Sequence, residues 1–349
     1  VSPARQGAPV ADHVATARSG HGRPGRGRSL AAAAVLVVVL VLLLAASVLV
    51  GSRPVPLDRI PGLLLGTADA DLLTLVHEVR VPRTIAAVLV GAALAWAGTL
   101  MQAMTRNPLA EPGILGVGSG AAFAVTIALS WLGVHSALGI AMASVLGAAV
   151  MTVVVLALGL RGSADGSRLI LAGVAFSMTI SGVQLGITLL DPRALDAMRA
   201  WSAGSLATPD PAVLTISLPL LAVGATIALL LRRPLDALSL GDELAGSLGS
   251  HPLRTRGGVA IAAALLVGAA TAIAGPIGFV GLIVPHLVRP FTGPGTARVL
   301  LVGTPVGAAL LLASDIAARV ALWPGELPVG VVTAAIGAPI LLLLVRGRR

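Results

Sequence analysis

Residues Leu30 to Val50 read LAAAAVLVVVLVLLLAASVLV, an uncharged apolar run interrupted only by Ser47. Roughly 20 such residues in a helix cross the hydrocarbon core of a bilayer. A secretory signal also begins after basic residues, and Arg18, Arg23, Arg26 and Arg28 precede this run. The apolar part of such a signal is only about 7–15 residues and ends at a small-residue cleavage site. The run is therefore expected to stay in the protein as a first transmembrane helix.

The rest of the chain carries the same signature. Of 349 residues 56% are apolar and 11% charged, against about 25% charged in soluble domains. Aromatics make up 2%, leaving Ala, Val, Leu, Ile and Gly, and small residues let helix backbones approach closely inside a bilayer. There is no cysteine, which excludes disulfides, thiolate metal sites and thiol nucleophiles. All 24 basic residues are arginine, so the chain holds no P-loop, whose phosphate cradle needs lysine. If ATP drives this protein, the ATPase is another chain. The net charge of +9 is scattered between apolar spans rather than gathered on one face, which argues against nucleic acid as a partner.

Hydropathy places nine further spans at 83–104, 113–132, 137–160, 168–190, 212–231, 258–275, 277–290, 298–320 and 328–345. The segment 277–290 is short, contains Pro285, and is expected as a broken or tilted helix. Ten spans put both termini on one side. With that side cytoplasmic, 17 arginines fall inside and seven outside, the bias that sets orientation. Trp131, Trp201 and Trp323 then all fall at the outer interface, where indole rings prefer to sit. Gly91–Gly98 (GAALAWAG) echoes Gly268–Gly275 (GAATAIAG) five spans later. Spans five apart run in opposite directions, so the echo marks an inverted repeat or a chance likeness between two Ala/Gly-rich helices. The expected fold class is an all-α polytopic membrane protein of about ten helices, with an inverted repeat as its organising symmetry. Residues 1–29, rich in Gly, Pro, Ser and Arg, are expected to be a disordered cytoplasmic tail, and 30–349 the membrane domain, with a polar cytoplasmic segment at about 232–257.

Four stretches are more particular than generic membrane sequence. They are Arg80-Val81-Pro82-Arg83; NPLAEPGILG at 107–116; LGDELAGSLG at 240–249; and AGPIGFVGLIVPH at 274–286, continued by Asp315–Arg319 (DIAAR) and Glu326–Gly330 (ELPVG). In this order and spacing, from about residue 75 to the C-terminus, they closely resemble the permeases of the iron-siderophore and cobalamin ABC importers, the FecCD type. The resemblance implies ten spans with both termini cytoplasmic. It also implies a pair of permease subunits, homo- or heterodimeric, docked to two ABC ATPase subunits inside and to a substrate-binding protein outside. ATP and Mg²⁺ belong to the partner ATPase, and no cofactor or metal is expected on this chain.

The same resemblance assigns roles. Arg80, Arg83 and Arg319 would meet acidic residues of the docked binding protein, with snorkelling anchors at helix ends as the competing reading. Asp315 lies one turn before Arg319, at ion-pair spacing. The segment with Gly241, Asp242, Glu243, Ala245, Leu248 and Gly249 would be the coupling helix seated in the ATPase. Its Gly241-x-x-x-Ala245-x-x-x-Gly249 spacing puts small residues on one helical face, a surface that another protein can approach closely. In the fifth span Ser177, Thr179, Ser181, Gln184 and Thr188 are pathway candidates, with helix–helix hydrogen bonding as the competing use. The Gly/Pro cluster from Gly275 to Pro285 is irregular backbone at membrane depth, tolerated where it is buried in protein or faces water. His286 has no second ligand at metal spacing and is expected to be structural.

The function expected from this is translocation by alternating access, without chemistry on the substrate. A secondary transporter driven by an ion gradient would need intramembrane acids or histidines as relays, and mid-span acids are missing from the hydropathy plot. An intramembrane hydrolase would need a nucleophile–base or metal constellation, and no H-E-x-x-H occurs. Which chelate is carried (siderophore, haem or cobalamin) is not written in these motifs.

Overall fold

A computed structural model describes residues 26–51, 55–159 and 166–346. Most of the expected tail, and the arginines at 5–23, 53, 161, 348 and 349, lie outside the described residues. Ten helices follow the ten expected spans: α1 (Arg26–Leu49), α2 (Val81–Thr105), α3 (Val117–Ser130), α4 (Ala137–Gly159), α5 (Gly166–Leu190), α6 (Pro211–Leu238), α7 (Pro252–Ala274), α8 (Val280–Thr292), α9 (Thr296–Val320) and α10 (Val329–Arg346). No strand occurs among the described residues. Helix α1 starts four residues before the expected boundary, because hydropathy marks only the apolar part of a helix while its hydrogen bonds continue into polar residues.

Seven of the ten are long and apolar enough to cross a membrane. The other three are shorter, and for α3 and α8 the reason is local. Before α3, Pro108, Pro112 and Gly113 interrupt the chain and Gly116 takes φ +73°. Before α8, Gly275 (φ +70°), Pro276 and Phe279 (φ +68°) do the same. Proline removes a backbone donor and a positive φ ends a right-handed helix. The expected spans 113–132 and 277–290 are thus each an irregular approach followed by a half-length helix. A helix missing from the sequence expectation, Pro192–Ser202, lies between α5 and α6. Asp191 caps it by accepting from the N–H groups of Arg193 and Ala194, and Ala194 and Met198 are its buried side.

The bundle is organised around α2, whose most apolar stretch is 72% buried, against 6% for those of α1 and α5. Two glycines make this possible. A Cβ at Gly91 would overlap the backbone carbonyl of Gly307 in α9, and one at Gly98 the carbonyl of Gly281 in α8. Backbone meets backbone there, and lipid supplies no hydrophobic push between helices, so close packing carries the association. Helix α2 packs most extensively on α9, and α7 packs on α4 as well as on α6 and α2. Gly268 of α7 faces Ala148 of α4, 3.3 Å from an added Cβ. Second on ninth and seventh on fourth is the pairing that a five-span offset requires.

Gly91→Ala and Gly98→Ala should each lower the melting temperature of the detergent-purified protein by roughly 5 °C or more, since overpacking costs about 1–3 kcal/mol. Gly257→Ala in α7, where an added Cβ meets nothing within 4 Å, should leave it unchanged or slightly raised. A melting series of the three variants checks both.

Candidate functional sites at the two ends of the bundle

At the end assigned outside by the arginine count, helix α1 finishes against α2 and α9. The last carbonyls of a helix have no intrahelical donors and carry the negative end of its dipole. Here arginines supply both donors and charge. Arg80 donates to the carbonyl of Val48 at 2.6 Å, and Arg319 donates to those of Ser47 at 2.6 Å and Val50 at 3.3 Å. The hydroxyls of Ser47 and Thr84 bond at 2.7 Å.

Beneath them Asp315, fully buried, is shared by two guanidinium groups. Arg83 donates from Nη2 at 2.9 Å and from Nε at 3.1 Å; Arg319 donates from Nε at 2.9 Å and pairs again through Nη2. The i,i+4 pair expected from spacing is present. Arg83 also binds Glu326 at 2.7 Å, whose side chain is 27% exposed. Buried charges persist only when paired and hydrogen-bonded, and this set of three arginines and two carboxylates meets that condition. The sequence expected Arg80, Arg83 and Arg319 on the outer surface. Their exposures of 4, 5 and 2% place them just under it, because α1 and the two acids cover them. Glu326, within the ELPVG stretch, carries no local sequence signal of this pairing; only the contact itself, 243 residues apart in sequence, reveals it.

At the opposite end, a short helix from Asp242 to Ser247 joins α6 to α7. Gly241 (φ +110°) and Gly249 (φ +80°) are turn residues, so no single helical face runs through positions 241, 245 and 249. Ala245 is fully buried within the chain, as part of its main apolar core. Of the three small residues Ala245 is closed off inside the chain, Gly241 is half-buried and Gly249 is exposed. Exposed beside Gly249 are Glu243, Leu244 and Leu248, the leucines at 57% and 65%. Asp242 points inward, accepting from both terminal nitrogens of buried Arg256 at 2.9 and 3.0 Å and standing 3.5 Å from Arg106 at the end of α2.

Of the five candidates of the fifth span, Ser177, Ser181, Gln184 and Thr188 share one helical face by their spacing, and Thr179 lies off it. Ser177, Thr179 and Thr188 turn their hydroxyls back to the carbonyls of Gly173, Ala175 and Gln184 in their own helix. Thr188 is buried, Ser177 and Gln184 are half-buried, and Thr179 and Ser181 are exposed. The helix nevertheless leaves one long face uncovered, with Leu171, Met178, Leu185 and Leu189 at 58–72% exposure around Gly182 and Gly186, which meet nothing.

Asp315→Asn should cost about 3–5 kcal/mol, because two buried guanidinium groups lose their common carboxylate. The expected outcome is loss of monodisperse protein in size-exclusion chromatography. Glu326→Gln at the rim should be much milder, since Arg83 keeps Asp315.

Comparison with known proteins fits this architecture. The FecCD transport family profile matches residues 38–347. The ferric enterobactin transport system permease FepD of Escherichia coli (strain K12) is 44% identical over 308 residues, covering 86% of this chain and 91% of FepD. The vitamin B12 import system permease BtuC of Vibrio cholerae is 41% identical (78% and 83% covered), and the hemin transport system permease HmuU of Yersinia pestis 36% (78% and 83%). Among solved structures, an inward-facing metal-chelate type ABC transporter superimposes with a TM-score of 0.82 at 30% identity, covering 91% of this chain and 99% of that one. With its ten helices in order and its length matched almost throughout, the chain belongs to the FecCD transport family of membrane permeases.

Proposed function

We propose that this chain is the membrane-spanning subunit of an ATP-driven importer and translocates a ferric siderophore-type chelate. The observation that carries this is the 44% identity with a ferric enterobactin permease over 91% of that protein's length. In this reading both termini are cytoplasmic, residues 1–29 are a cytoplasmic tail and 30–349 form the membrane domain. A binding protein delivers the chelate to the arginine end, where Arg80, Arg83 and Arg319 hold the docking surface in shape from beneath and Glu326 is the charged group at its rim. Separate ATPase subunits, which bring ATP and Mg²⁺, dock on the opposite end. Leu244 and Leu248 supply the apolar contact there, while Asp242, Arg256 and Arg106 hold the segment to the bundle. A second permease subunit covers the open face of α5. The path between the two subunits carries a preformed chelate and needs no cofactor.

The deciding measurement is ATP-dependent uptake by vesicles holding the assembled transporter, offered a panel of labelled ferric tris-catecholate, ferric hydroxamate, haemin and cobalamin. Uptake of a ferric siderophore is expected; uptake of only haemin or cobalamin overturns the substrate, and uptake driven by a proton gradient without ATP overturns the class. In the same preparation Leu244→Asp together with Leu248→Asp should reduce co-purification of the ATPase by roughly tenfold or more. Orientation is checked separately: with no native cysteine, a cysteine at Gly325 should react with an impermeant thiol reagent added outside, and one at Ser247 only with reagent added inside.

A further inference from the structure

The two irregular segments that precede α3 and α8 meet each other. The Glu111 carboxylate accepts the N–H of Phe279 at 2.8 Å through Oε1, and a Cβ at Gly278 would lie 3.7 Å from the same oxygen. Pro112 sits against Gly281, 3.2 Å from an added Cβ. Phe279 is one of two non-glycine residues with positive φ among the described residues. Its ring fills the place that a side chain at Gly337 of α10 would need. One carboxylate thus ties the 106–116 segment to the start of α8, and through Phe279 to α10.

This junction lies well within the bundle. Gly281 packs beside Leu94 and Gly98 of α2, and α2 ends at Thr105. At 1.5 Å per residue the junction is about 10–16 Å from that end, inside the roughly 30 Å of a hydrocarbon core. Glu111 is only half-buried, and Gly113 and Gly278 are exposed. A carboxylate and non-helical backbone left uncovered at such depth are tolerated only against water or another protein, not lipid.

We infer that Glu111 is a positioning residue of the translocation path: its carboxylate lies on the aqueous side and holds Phe279, so that the segment before α3, the start of α8 and α10 move together. This rests on the permease reading above and adds an acid to a path that the sequence described without one. The reach of the side chain matters more than its charge, because the bond is to a backbone N–H.

The test uses the full chain in membranes with single introduced cysteines and a charged methanethiosulfonate reagent, methanethiosulfonate ethyltrimethylammonium. Gly113→Cys and Gly278→Cys should react within about tenfold of Ser247→Cys at the exposed loop, and at least about a hundredfold faster than Val150→Cys on the open side of α4. Rates no faster than Val150→Cys overturn the aqueous placement. In the Gly278→Cys background, Glu111→Ala and Glu111→Asp should change the labelling rate several-fold, since neither reaches Phe279. Glu111→Gln, whose amide oxygen accepts the same N–H, should label at the parent rate. If Asp matches the parent and Gln matches Ala, charge rather than the bond is at work and the latch is wrong. Should the Ala variant fail to accumulate, the Asp and Gln pair decides alone. Labelling needs neither chelate nor ATPase, so a failed uptake panel with intact labelling contrasts overturns the transport reading only; the reverse result overturns this inference only.

Discussion

Everything in this bundle depends on how closely α2 is allowed to approach its neighbours. At Gly91 and Gly98 the facing surfaces are bare backbone, so the central helix touches α9 and α8 with no side chain between. That closeness brings Arg83 within reach of Asp315 and, at the far end, Arg106 near Asp242. One buried helix therefore carries an ionic contact at each end. Association in a bilayer rests on packing and hydrogen bonds, and both are set by the same two glycines.

The two ends use charge differently. Near α1 the arginines satisfy helix-end carbonyls that no intrahelical donor reaches, and the shared carboxylate offsets their charge. Near α7 the bidentate Arg256–Asp242 pair fixes a short connecting helix whose exposed leucines remain uncovered. In the proposed importer, a rigid anchor beside an open apolar contact suits an element that transmits displacement rather than absorbing it. The open face of α5 stands in contrast, with hydroxyls folded back on their own helix and little else polar.

The number and order of the helices were legible because long apolar runs have few other readings. The Asp315–Arg319 pair was legible too, being a matter of helical period alone. Arg83 with Asp315, or Glu111 with Phe279, spans most of the chain, and no local pattern encodes it. The half-length α3 escaped hydropathy because residues 113–116 are apolar enough to pass as helix, although Pro112 and Gly116 break it. Gly241, Ala245 and Gly249 misled for a related reason. A four-residue spacing implies a common face only if the backbone stays helical, and the two glycines are the places where it does not. Burial misled in its own way: arginines next to apolar runs suggested a surface, while the acids that draw them inside come from the last tenth of the chain.

That distance in sequence has a consequence for biosynthesis. Arg83 leaves the ribosome 232 residues before the carboxylate that neutralises it. At about 5–20 residues per second the interval is on the order of ten to fifty seconds. Throughout it the start of α2 carries cations with no buried acid to receive them, so it is held near the headgroups while α3 to α8 are inserted. Only when α9 arrives does the first helix gain the Arg319 donors that, with Arg80, close its end. The outer end of α1 and the start of α2 thus acquire their full set of partners only after α9 is made, and a chain ending before Asp315 lacks the buried carboxylate that receives Arg83.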